Sequence, residues 1–370
     1  MGIFSRTKPF NQLPLLPPED NKIFTKEVLL SLANAHRSLG KLDGMSKQLP
    51  NPLMLVNTIS LQEAKSSSEI ENIFTTDDEL YKAISTTDTS ISPAAKEVLR
   101  YRESLWTGVK RIREHKRIDL NTIIQIYQNI KQTQTGIRSE HTNTRIIRGG
   151  KRISGGEVVY TPPRGDRILN ELLNNCLVYI NNDRQFDFDP LLKMAISHYQ
   201  FEAIHPFPDG NGRTGRILNL MILLNKGLLT YPILYLSKFI INNKDSYYHY
   251  LNGVSARGDW ERWLIYMLTA VNETADYTVM KIEEIMQQFE ETRKHVDKHF
   301  PKLDYAVLEA IFTQPYIKAI HIVSEKIKSR NTARKYLDKL CEIRVLELRH
   351  IGNENVYINN DLVRILESEE

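Results

Sequence analysis

The stretch His205-Pro206-Phe207-Pro208-Asp209-Gly210-Asn211-Gly212-Arg213-Thr214-Gly215-Arg216 gathers an imidazole, a carboxylate, closely spaced glycines and two guanidinium groups into twelve residues. Each type has a use in handling a phosphate chain. Gly210 and Gly212 let successive backbone N–H groups turn toward one point at the start of a helix, an anion nest reinforced by the helix dipole. Arg213 and Arg216 lie three apart and can project from one helical face toward further phosphates. Asp209 is a hard oxygen donor beside the nest, as a Mg²⁺ bridging phosphates requires. His205 opens the loop and can serve as a general base near neutral pH. The set amounts to a kit for transfer chemistry on a nucleoside triphosphate. A capped helix start with surface arginines would explain one glycine and Asp209 but not the whole. A Walker loop is excluded, because the Gly-Lys-Ser/Thr ending is absent and a helical pattern precedes the loop.

Helices must position these groups. Apolar residues recur at three- and four-residue spacing over 23–42 and 52–72. Ser92-Pro93 is an N-cap followed by proline at the first helical position, opening a helix to about residue 114. Further helices are expected over 119–131, 166–182, 189–204, 214–225 and 246–254, with one or two more over 260–288. Leu13-Pro14-Leu15-Leu16-Pro17-Pro18 reads as an extended arm packed on a domain. One segment interrupts the helices: from Arg145 to Pro163, glycines alternate with short β-branched and aromatic runs, the pattern of a β-hairpin. A lone hairpin is marginal unless something packs on it. After residue 295 come expected helices over 303–312, 319–327 and 330–341 and a hairpin over 345–358, the order of a winged helix-turn-helix with 330–341 in the recognition slot.

The chain has 370 residues, 41% hydrophobic and 25% charged, which suits a multidomain globular protein. Its longest apolar stretch, 217–224, is too short to cross a bilayer, and the amino terminus lacks the apolar run of a secretory signal. A cytoplasmic protein without membrane contact is expected. Cys176 and Cys341 lie far apart in apolar helical patterns, which excludes a disulfide framework or a cysteine-built zinc site. A net charge of +4 is too mild to mark a nucleic-acid binder. Residues 317–350, however, carry nine Lys/Arg against four acids.

The loop resembles the signature of Fic-domain proteins: His, any residue, Phe, any residue, Asp or Glu, Gly-Asn-Gly-Arg, two residues, Arg. All eight defining positions match His205, Phe207, Asp209, Gly210, Asn211, Gly212, Arg213 and Arg216. The resemblance covers about residues 10–290, and a carboxyl-terminal winged helix accompanies one branch of the family. It implies a mainly α fold, a Fic-type helical bundle with a β-hairpin flap, and transfer of AMP from ATP to a Ser, Thr or Tyr hydroxyl of a target protein. By it, His205 deprotonates that hydroxyl, and Asp209 holds Mg²⁺ on the α- and β-phosphates. Gly210, Asn211 and Gly212 form the anion hole, Arg213 helps bind phosphate, and Arg216 holds the γ-phosphate.

Ser67 and Glu71 are four apart at the end of the second expected helix, followed by Asn72. This resembles the family's inhibitory motif: Ser or Thr, three residues, Glu, then Gly or Asn. It implies that Glu71 pairs with Arg216 and denies it to the γ-phosphate. Val158, Val159, Tyr160 and Thr161 occupy the family's flap position, where a target segment adds as a strand. Tyr247 and Tyr248 fall where family members surround adenine, while Ser255 stands where the family places an adenine-contacting asparagine.

These features divide the chain into an amino-terminal helical region carrying the inhibitory motif (1–110), a catalytic core (111–294) and a winged-helix domain (295–370). The expected function is an autoinhibited protein adenylyltransferase, able to modify itself and to form a homodimer. Two alternatives stay open: a regulator that binds DNA through residues 300–370 while the core senses nucleotide, and a hydrolase that uses Glu71 to remove AMP.

Overall fold

Helix starts follow capping chemistry written in the sequence. In a computed structural model that describes residues 4–49, 51–85, 91–148, 156–324 and 327–368, Thr25 accepts from the Val28 N–H and opens α1 (Lys26–Ser46). Next come α2 (Leu53–Ile70) and α3 (Asp77–Ser85). Ser92 accepts from the Ala95 N–H ahead of Pro93 and starts α4 (Pro93–His115). Asp119 caps α5 (Leu120–Lys131) through the Thr122 N–H. Strands β1 (Ile146–Arg148) and β2 (Glu157–Tyr160) pair antiparallel as the expected hairpin, whose turn at 149–155 lies outside the described residues. Then follow α6 (Asp166–Asn181), α7 (Pro190–Ile204), α8 (Asn211–Asn225), α9 (Leu236–Asn242), α10 (Lys244–Arg257) and α11 (Trp260–His299).

Three of these helices lie in the interior. Every residue from 191 to 201 on α7 is buried, as are residues 213–223 on α8 and most of α2. A helix enclosed on all sides needs no polar stripe, and the loop joining α7 to α8 is fixed at both ends by the core. The 40-residue α11 is a single helix that continues past the expected end near 288 to His299, with α1 packed along it. The amino-terminal arm packs as expected: Leu13 and Leu16 are buried, and Leu16 exchanges hydrogen bonds with the Asn175 side chain at 2.7 and 3.0 Å. Among the described residues no helix is long and apolar enough to cross a membrane.

The carboxyl-terminal part contains α12 (Tyr305–Thr313), β3 (Tyr316–Ile317), a 3₁₀ turn (Ala319–Ile322), α13 (Arg330–Glu342), β4 (Glu347–Ile351), β5 (Glu354–Ile358) and α14 (Asn360–Glu367). Its sheet runs β3-β5-β4, all antiparallel. The hairpin expected over 345–358 is β4–β5. The helix expected over 319–327 is only the 3₁₀ turn, and residues 325 and 326 lie outside the described residues. Strand β3, too short to show a period, pairs its buried Tyr316 and Ile317 with Ile358 and Tyr357. Tyr316 donates to Asp78 at 2.7 Å, and Lys281 donates to Ser368 at 2.6 Å, tying this part to α3 and α11.

Glu63 fastens the middle of α2. Its buried carboxylate accepts from the Ser237 hydroxyl at 2.5 Å, the Ser237 N–H at 2.9 Å and the Tyr101 hydroxyl at 3.0 Å. Burial overrides these donors and pushes the carboxyl up from 4.5 to about 7. Such a group favours the folded state at low pH, a contribution lost as pH rises from about 4.5 to about 7. Glu63→Ala leaves buried donors without an acceptor and should cost roughly 3 kcal/mol in urea unfolding. Relative to Glu63→Gln, the wild-type urea midpoint should fall across that pH window.

Candidate active site

The loop between α7 and α8 is held by its own side chains. His205 ends α7 in the left-handed region, φ 51°, with its N–H on the Phe201 carbonyl at 3.0 Å. Pro206 cannot continue the helix. Phe207 is fully buried and stacks on Tyr127, ring centroids 4.1 Å apart. The Asn211 amide accepts from the Phe207 N–H and donates to the Phe207 carbonyl, both at 2.8 Å. Asn211 therefore closes the loop with its side chain and keeps only its backbone N–H for an anion. Gly210, at φ 73°, turns the chain into α8, a conformation that favours glycine.

Arg138, which nothing in the sequence singled out, secures the carbonyl end of α7. It donates to the carbonyls of His205 at 2.7 Å, Ile204 at 3.1 Å and Pro163 at 2.6 Å. Burial, reinforced by this neighbouring cation, lowers the His205 imidazole to about 4, against the upward pull of the Glu202 backbone, Glu71 and Asp209. The ring is therefore neutral at pH 7 and able to accept a proton.

Arg216, Ser67 and Glu71 meet although α2 and α8 are distant in sequence. Arg216 is buried. Its Nε donates to the Ser67 hydroxyl at 2.7 Å, and its Nη2 donates to the Ser67 carbonyl at 2.8 Å and to Glu71 Oε1 at 2.9 Å. Burial opposes the charge, but Glu71 overrules it and holds the guanidinium above its ordinary range. A side chain at Gly212 would run into the Glu71 carboxylate and Arg216, so this carboxylate lies against the backbone of the nest. Asn72 follows at φ 62°, a left-handed position that asparagine tolerates better than other side chains.

On the other side of the loop, Asp209 is largely exposed. Its Oδ1 accepts from the Gly210 N–H at 2.7 Å and its Oδ2 from Lys131 at 2.6 Å. Partial burial, which would raise this carboxyl, is overruled by Lys131, and it lies below its usual range. Arg213 Nη1 donates to Glu97 at 2.9 Å. Among the described residues no group of three or more His, Cys, Asp or Glu could hold a metal ion by itself. One accessible carboxylate suits an ion that takes its other oxygens from phosphates and water, as Mg²⁺ does.

Tyr247 and Tyr248, adjacent in sequence, part company. Tyr247 is buried among Trp263, Tyr266 and His198, and shares a hydrogen bond with His198 Nε2 at 2.8 Å. The Tyr248 ring reaches the surface. In the flap, Val158 and Val159 are half-buried. The buried Tyr160 donates to the Ala203 carbonyl at 2.8 Å, and Thr161 donates to the Arg6 carbonyl at 2.6 Å. Those two side chains moor the flap to α7 and to the arm, and β2 is paired with β1 along one edge of a two-stranded sheet.

A crystal structure of a Fic family protein from Desulfovibrio desulfuricans G20 superposes with a TM-score of 0.57 at 19% identity, over 93% of this chain and 98% of that one. Fic-1 from Caenorhabditis elegans gives 0.53 at 19% identity, over 70% and 74%. The fold is thus of the Fic type. Residues 29–110 match the Fic/DOC family N-terminal region, 117–223 the Fic/DOC family, and 288–362 the C-terminal domain of SoFic-like protein adenylyltransferases. The chain belongs to the Fic/DOC family. Curated relatives include the protein adenylyltransferase Fic of Aedes aegypti, 28% identical over 45% of this chain and 30% of that protein. A probable protein adenylyltransferase of Aquifex aeolicus is 32% identical over 32% of this chain and 33% of that protein. The matches thus span about a third of these relatives' lengths.

Arg138→Met should leave three carbonyls without their donor and lower the unfolding free energy by about 2–3 kcal/mol. It should also raise the His205 pKa, because a neighbouring cation is gone; an NMR titration of the His205 ring against wild type reads that shift.

Proposed function

We propose that the protein is an adenylyltransferase that moves AMP from ATP to a Ser, Thr or Tyr hydroxyl of a target protein, itself included, and that Glu71 restrains it. The observation that carries this reading is the Glu71 carboxylate held on Arg216 at 2.9 Å and against Gly212, where a phosphate would otherwise lie. The neutral His205 imidazole takes the proton of the attacking hydroxyl. The N–H groups at Gly210, Asn211 and Gly212, with Arg213 and Arg216, neutralise the phosphates and the departing pyrophosphate. Asp209 holds Mg²⁺, which supplies charge neutralisation on the same phosphates. Tyr248 borders the adenine, and the β2 backbone with Val158 and Val159 receives the target segment by strand addition. The division at 110 and 294 separates restraint, chemistry and a winged-helix accessory domain.

A second reading draws on α13, where Arg330, Arg334 and Lys335 are exposed on one helix. If that face binds DNA, steep salt dependence follows and is lost when the three are replaced by glutamine.

Transfer of label from α-³²P-ATP with Mg²⁺ tests the enzyme. Wild type should label weakly, Glu71→Gly on the order of tenfold more, as for a restraint engaged in most molecules, and Glu71→Gly with His205→Ala not at all. No gain in Glu71→Gly removes the restraint from the reading, and label surviving without His205 removes the base. Release of AMP from labelled protein, lost in Glu71→Gly, would instead assign Glu71 to hydrolysis. In Glu71→Gly, the acid limb of kcat/KM should lie near pH 4 rather than 6.5, because the free enzyme's imidazole is held down.

A further inference from the structure

Two acids and two bases form an open chain along the loop: Asp209, Lys131, Glu97 and Arg213. Lys131 Nζ lies 2.6 Å from Asp209 and 3.7 Å from Glu97, and Glu97 lies 2.9 Å from Arg213. The lysine, at the carboxyl end of α5, has its stem laid over Gly210, with Cδ 3.2 Å from where a side chain there would begin. The stem is thus fixed along the loop while the ammonium stands between two carboxylates. A swing of about an ångström would bring it from ion-pair range into hydrogen-bond contact with Glu97. Asp209 Oδ1 accepts from the Gly210 N–H and Oδ2 from Lys131, so a cation drawn to this carboxylate meets the ammonium already on it. Arg213 is only 2% exposed, and its Nε is buried with no hydrogen-bond partner among the described residues. One of its donors is thus unsatisfied while Glu97 holds another.

We propose that Lys131 is a place-holding counter-ion at Asp209, which a divalent cation displaces onto Glu97, and that this exchange loosens Glu97 from Arg213 so that the guanidinium can turn to the phosphates. The inference rests on Asp209 being the metal carboxylate of the proposed enzyme. Before nucleotide arrives, the four charges balance one another and the metal ligand is held in place. When the cation and the phosphates arrive together, the ammonium moves away from the metal and Arg213 exchanges a carboxylate for a phosphate. Lys131 and Glu97 are positioning residues in this scheme, acting through Asp209 and Arg213.

The test is Mn²⁺ binding to the full chain saturated with α,β-methylene-ATP, which cannot be cleaved between its α- and β-phosphorus atoms, read by electron paramagnetic resonance of the free ion. Lys131→Met should tighten Mn²⁺ binding roughly threefold to fivefold, the worth of a part-exposed ion pair. Glu97→Gln should weaken it, because the displaced ammonium has lost its second carboxylate. Packing contributions alone do not produce opposite signs. Unchanged or weaker Mn²⁺ binding in Lys131→Met overturns the place-holder, and unchanged binding in Glu97→Gln overturns the exchange. Binding of the analogue with EDTA present should be the same in Lys131→Met as in wild type; a loss there makes Lys131 a phosphate ligand and overturns the proposal. Asp209→Asn separates the two levels. If it leaves Mn²⁺ affinity intact, the metal assignment itself fails. If it weakens binding while Lys131→Met does not tighten it, only this inference fails.

Discussion

A guanidinium enclosed in a protein core needs an anion, and Arg216 meets that need through Glu71, 145 residues away in sequence. Three carboxyls surround it. Glu71 makes the contact, while burial pushes Glu63 up to about 7 and Glu202 to about 8, each drawn back in part by Arg216. Glu71 is thus the carboxyl in contact with the buried cation, while the other two, raised by burial, oppose it less than ordinary carboxylates would. Whatever takes the place of Glu71 must itself be an anion, and in the proposed enzyme that anion is the triphosphate. The same requirement explains why α2, the helix that leads into Glu71, is tied down by Glu63 on Ser237, by Ser66 on the Tyr235 hydroxyl at 2.6 Å and by Ser67 on Arg216: it brings the counter-charge to a buried cation.

The loop owes its shape to opposed helix ends. At the end of α7 exposed carbonyls are gathered by Arg138; at the start of α8 exposed N–H groups point into the nest. Between them Phe207 is driven into the core and Asn211 ties the turn shut, so the imidazole and the nest keep a fixed separation. Tyr160 joins the flap to the same place through the Ala203 carbonyl, two residues from His205. The flap is thus joined to the residue that carries the imidazole by a short path of covalent and hydrogen bonds.

Much of this was legible in the sequence where cause and effect are local. Ser92-Pro93 and Asp119 announce their helices because a cap needs only the next few residues, and residues 205–216 announce a phosphate site because its parts are contiguous. Illegible were groups whose meaning comes from a distant partner. Arg138 acts on a carbonyl 67 residues away, Lys131 on a carboxylate 78 away, Glu97 on Arg213 116 away, and Glu63 on Ser237 174 away. Taken alone, each is an ordinary charged residue on a helix or loop. Tyr247 and Tyr248 failed to separate for the opposite reason: a step of about 100° around the helix sends one ring into the core and the other to the surface. The strand β3 and the 3₁₀ turn after it are too short to carry any period.

Glu71 is not within α2 but just beyond its last turn, in the C-cap position, with a left-handed Asn72 behind it. Helix termini fray at far less cost than helices shift, so the carboxylate can leave Arg216 by unwinding one turn while α2 stays in the core. Unwinding is opposed by the bonds from Arg216 to Ser67, by the burial of Ile70, and by Lys244, which donates to the Ile70 carbonyl at 2.5 Å. In the proposed enzyme the resting activity is then a local melting equilibrium. Warming, or a partner that pulls on the segment after Asn72, would raise it with the bundle intact.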